Sequence, residues 1–78
     1  MKIVLSSRAA KQLNRMNEPL KGRIKMAISM LPQGDIKKLE GRQGFRLRVG
    51  GFRVLFGMQH DTIVVTDILP RGQAYKGG

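Results

Sequence analysis

Between Phe45 and Phe56 apolar residues recur at every second position, and the pattern is interrupted once, by Gly50-Gly51. A period of two sends successive side chains to opposite faces of a strand, so little except a hairpin satisfies this stretch. A Gly-Gly pair between two such runs predicts a two-residue loop. The register then follows: Val49 opposite Phe52, Arg48 opposite Arg53, Leu47 opposite Val54 and Arg46 opposite Leu55. One face collects Phe45, Leu47, Val49, Phe52, Val54 and Phe56. The other collects Arg46, Arg48 and Arg53.

That second face carries chemistry. Directly opposed residues of an antiparallel pair have Cβ atoms ~4.5–5.5 Å apart, and like charges there oppose pairing. Neither strand holds an acid to offset Arg48 against Arg53. Clustered guanidinium groups weaken a hairpin, yet their forked donors match phosphate oxygens two at a time and stay charged at physiological pH. The competing reading is that long arginines splay into water and discourage edge-to-edge aggregation. The pattern points to an anion site and does not by itself specify RNA.

The remaining chain supplies partners for the hairpin. Lys2–Leu5 reads as a short β-branched strand, and Ser6 or Ser7 suits the N-cap of a helix bearing Ala9, Ala10, Leu13 and Met16 at helical spacing. A second helix follows, with Asn17 as its candidate cap and Pro19 in its first turn. Leu20, Ile24, Ala27, Ile28 and Leu31 form its apolar stripe, and Pro32 and Gly34 end it. Residues 35–44 read as a polar connector, residues 62–68 as a further strand, and Pro70 onward as a polar, glycine-containing tail. The expected fold is α+β, ordered β-α-α-β-β-β, with a helical hairpin on one face of a small, mainly antiparallel four-stranded sheet.

Length and charge narrow the function. Seventy-eight residues make one domain, 1–78, with a small core. Fifteen Lys and Arg against five acids leave +10, a self-repelling surface that a polyanion relieves. Nucleic acid is the first candidate partner and an acidic protein the second. Anionic membrane comes third, because no segment is both strongly basic and strongly amphipathic. With no cysteine, one histidine and few acids, a metal centre and a metal-dependent enzyme are not expected. The apolar runs fall short of the ~20 residues a membrane span needs, and the first residues lack the apolar length of a signal peptide, so a cytoplasmic protein is expected.

The segment from Phe45 to Phe56, with Lys38-Leu39-Glu40-Gly41 before it and Pro70-Arg71-Gly72-Gln73-Ala74-Tyr75 at the end, resembles the signature of the RelE/ParE toxin superfamily. The expected element order fits over essentially the whole chain. The resemblance implies a RelE-like fold and the toxin role in a type II toxin–antitoxin system, with an acidic antitoxin as partner. For the RelE branch it implies cleavage of messenger RNA on the ribosome, without a small-molecule cofactor. By that resemblance Arg53 and Arg71 hold the scissile phosphate, Tyr75 acts near the reacting 2′-hydroxyl or stacks on a base, and Arg46, Arg48 and Lys38 bind RNA.

Such chemistry runs on orientation and charge. RNA is cleaved when its own 2′-hydroxyl attacks the adjacent phosphorus, so the protein must align the RNA and stabilise growing negative charge. Arginine serves both needs and makes a poor general base, which leaves Tyr75 as the candidate for proton transfer. A phenol ordinarily ionises near pKa ~10 and would need cations beside it. His60 falls in an expected turn, away from the arginines. Two other readings stand beside this one: a ParE-like toxin that inhibits DNA gyrase without cutting RNA, and an inactive relative that binds RNA or antitoxin.

Overall fold

The computed structural model describes residues 1–70. The elements run β1 (Lys2–Leu5), α1 (Ser7–Asn14), α2 (Leu20–Ser29), β2 (Ile36–Lys38), β3 (Phe45–Val49), β4 (Phe52–Gln59) and β5 (Thr62–Pro70). The strands form one sheet in the order β1-β5-β4-β3-β2. β1 runs parallel to β5, and the other pairings are antiparallel.

The class and element order match the sequence expectation, and the sheet has one strand more. β2 lies inside the stretch that reads as a connector. Three residues, Ile36-Lys37-Lys38, are too few to display a period, and their strand character comes from pairing with β3. The loop between β2 and β3 is closed by Leu39 N–H donating to the Gly44 carbonyl at 3.0 Å. β5 also continues past Ile68 to Pro70, which pairs with Phe52 at the end of the ladder, where a missing N–H is tolerated.

Both helices begin where their first amides find acceptors. Ser6 is the cap of α1: its Oγ accepts from Ala9 N–H at 3.0 Å and donates to the Thr66 carbonyl at 2.8 Å, fastening the helix to β5. α2 departs from expectation. Its cap is Pro19, without a side-chain hydrogen bond, and Glu18 Oε1 accepts from Gly22 N–H at 2.8 Å instead of Asn17 doing so.

The core lies between the helices and one face of the sheet. Ala9 and Leu13 of α1, and Ile24 and Ile28 of α2 with Leu31, pack against Leu47, Val54, Phe56, Ile63, Val65 and Ile68. In β5 the apolar positions 63, 65 and 68 break a strict period of two. A bulge resolves the conflict: Leu55 pairs with Asp67 and Phe56 with Val65, so Thr66 is the extra residue. Thr66 Oγ1 donates to the Leu55 carbonyl at 3.2 Å across the irregularity. Val65 and Ile68 therefore both reach the core despite their odd spacing.

Candidate nucleic-acid interface

The hairpin has the register read from its alternation, including Arg48 opposite Arg53 and Arg46 opposite Leu55. Because Leu47, Val54 and Phe56 face the helices, Arg46, Arg48 and Arg53 share the opposite face. Burial distinguishes them sharply. Arg53 is 2% exposed and Arg46 9%, while the Arg48 side chain retains 48% of its surface. The trio does not simply splay into water. β4 is flanked by β3 and β5, so a side chain emerging from it has neighbours on both sides.

Arg48 does meet an acid, although none lies in its own hairpin. Its Nε donates to Asp35 Oδ2 at 2.9 Å, and its backbone N–H donates to the Asp35 carbonyl at 3.0 Å. Asp35 stands just before β2, which brings it beside β3. Sequence inspection of the hairpin missed this acid because the pairing that delivers it is tertiary.

The fold also adds a cation. Lys37 pairs with Arg46, which pairs with Leu55, which pairs with Asp67, so these four residues form a row across β2 to β5 on the arginine face. Lys38 instead pairs with Phe45, and alternation directs it to the face that carries the helices. The structure thus brings together Arg46, Arg48 and Arg53, joins Lys37 to them, and places Lys38 apart from them. Arg71 and Tyr75 lie outside the described residues. His60 occupies the turn between β4 and β5 with a φ of 52°, as expected of a turn residue.

Among the described residues, three arginines and a lysine stand against Asp35 and Asp67 here. Asp67 is already engaged, with Arg8 Nη1 at 3.4 Å from its Oδ1. Arg46 and Arg53 are buried beside the exposed Arg48, in a medium that screens charge weakly. An anion approaching Arg48 feels the whole cluster. The arrangement suits binding and electrostatic stabilisation of a phosphate.

This architecture recurs among solved structures. A chain of the RelB–RelE antitoxin–toxin complex from Methanococcus jannaschii superposes with a TM-score of 0.78 and 26% identity, over 94% of this chain and 95% of that one. The fold is RelE-like. A chain of the archaeal RelE–RelB complex from Pyrococcus horikoshii OT3 gives 0.77 at 21% identity, over 92% and 96%. No family model and no curated protein matches the sequence. In this RelE-like chain the arginine face belongs to the hairpin that carries the sequence resemblance.

Proposed function

We propose that this chain is the toxin of a type II toxin–antitoxin pair, and that it acts as an endoribonuclease on messenger RNA held in the ribosome. The observation that carries the reading is the RelE-like fold shared across nearly the full length of both compared chains. The arginine face supports its chemistry. Arg48 meets the RNA phosphate first. Its pair with Asp35 is about half exposed on both sides, and such a pair is worth at most about 1 kcal/mol, so an incoming phosphate competes with it readily.

Arg46 and Arg53 stabilise the extra negative charge that develops as the 2′-oxygen approaches phosphorus. The O2′–P bond forms and the P–O5′ bond breaks, leaving a 2′,3′-cyclic phosphate and a 5′-hydroxyl. The 2′-hydroxyl must lose a proton, and O5′ must gain one. Arg71 joins the phosphate contacts in this reading, and Tyr75 serves the proton transfer. A domain of charge +10 also suits an acidic antitoxin that orders on contact.

The test is to express the chain under tight control and map messenger RNA 5′ ends with and without active translation, beside Arg71→Ala and Tyr75→Phe. New in-frame cuts that need translation and vanish in Arg71→Ala are expected. Growth arrest with intact messages and stalled replication would transfer the reading to gyrase inhibition.

A further inference from the structure

β4 is longer than the strand beside it. Its pairing with β3 ends at Phe56, opposite Phe45, while its pairing with β5 continues to Gln59. Beyond the end of β3, the loop of residues 39–44 and the protruding part of β4 enclose an open groove of about 720 Å³. Leu55 and Gly57 line it from the arginine face, Lys38 and Phe45 border it from the helix face, Arg42 supplies a cation and Asp67 a carboxylate. The groove adjoins the arginine face, because Leu55 and Asp67 belong to the same cross-strand row as Arg46.

Gly57 is the informative residue. Its φ lies outside the left-handed region, so its conformation does not require glycine. A Cβ built there meets nothing within 4 Å, so packing does not require glycine either. Glycine inside a strand weakens it and often accompanies a bulge, as the one beside Leu55 and Phe56 here. An open Cβ position also suits close approach of a ligand to the backbone. Here the missing side chain keeps the groove open.

We propose that this groove seats one RNA base beside the phosphate held by the arginine face, with Asp67 accepting a hydrogen bond from the base's amino group. This rests on the RNA reading above. Leu55, on the arginine face, offers apolar contact to a base ring, and Arg42 suits a flanking phosphate. Asp67 decides between occupants. An acidic peptide laid along the free edge of β4 would meet its carboxylate as repulsion, whereas adenine, cytosine and guanine offer it an amino donor. Uracil has no amino group, and its one ring donor, N3–H, stands between two carbonyl oxygens that repel a carboxylate. With Oδ1 turned to Arg8, Oδ2 is the oxygen for this contact. Asp67 is thus a specificity-determining residue that disfavours uracil.

The test uses the purified full-length chain and short fluorescent 2′-O-methyl oligonucleotides of adenine, cytosine or uracil alone, which cannot be cut for want of a free 2′-hydroxyl. Anisotropy titrations at fixed salt give the affinities, and thermal melts check the fold. Wild type is expected to bind the adenine and cytosine probes about fivefold or more tighter than the uracil probe, the range one good base contact supplies. Gly57→Val is expected to melt no lower than wild type and to bind adenine and cytosine probes as weakly as uracil. Asp67→Asn is expected to erase the preference while keeping overall affinity.

If Gly57→Val binds all probes as wild type does while Arg48→Ala weakens them equally, the base seat is wrong and the phosphate reading survives. No binding of any probe by wild type at low salt overturns both. Loss of polyglutamate binding in Gly57→Val, with RNA binding unchanged, would make the groove a protein site and overturn the proposal.

Discussion

On the face of the sheet beneath the helices, Leu47, Val54, Ile63, Val65 and Ile68 are almost completely withdrawn from water; on the other, the same strands bury Arg46 and Arg53 and leave Arg48 half in solvent. The backbone treats the two faces alike, since alternation alone assigns each residue its side. The energetics are opposite. Withdrawing apolar area from water stabilises the helix face, at roughly 25 cal/mol per Å². Withdrawing guanidinium groups costs solvation, which paired charges repay only where geometry and further hydrogen bonds are good. The apolar face therefore holds the arginine face in place.

The largest effect should come from the apolar face. Ile63 is fully buried in β5, and Ile63→Ala is expected to cost about 2–5 kcal/mol, read as a shift of the urea midpoint. A loss under about 1 kcal/mol would mean that β5 is not the centre of the core and would break the comparison. Next comes the joint between helix and sheet. Ser6→Ala removes both the cap of α1 and its link to Thr66, and is expected to cost about 1–2 kcal/mol in the same assay.

Arg48→Ala belongs to the other face and should behave oppositely. Stability should change by less than about 1 kcal/mol, because its pair with Asp35 is solvent-exposed. RNA binding should fall, and the slope of log affinity against log salt should shrink by about 0.7, the signature of one lost phosphate contact on a single strand. A large loss of stability instead would make Arg48 a structural residue. The smallest effect is expected of Asp35→Asn: a stability change within about 0.5 kcal/mol, with RNA bound somewhat more tightly once the competing carboxylate is gone. Weaker RNA binding in that variant would mean Asp35 positions Arg48 rather than competing for it.

The parts legible in the sequence are those fixed by local rules. Alternation around Gly50-Gly51 determined the hairpin register and the shared face of Arg46, Arg48 and Arg53, and both helices lie where their apolar stripes predict. The features that escaped depend on contacts distant along the chain. Ile36-Lys37-Lys38 becomes a strand only because β3 lies beside it, and that pairing delivers Asp35 to Arg48 and Lys37 to Arg46. The bulge at Thr66 shows in sequence only as an irregular spacing of Val65 and Ile68. Burial of Arg46 and Arg53 was illegible for the same reason, since alternation gives the face and not its cover.

The central claim is that RNA is held by the arginine face and not by the overall charge of the chain. It is tested most directly by titrating one uncleavable RNA against Arg48→Ala and Lys25→Ala. The second variant removes an exposed cation from α2, the helix layer on the other side of the sheet, so the two carry equal net charge. The account predicts a loss of about tenfold or more for Arg48→Ala, as for one charge-assisted hydrogen-bonded contact, and less than about twofold for Lys25→Ala. Equal losses in the two variants would contradict it and reduce the arginine face to one part of a diffusely basic surface.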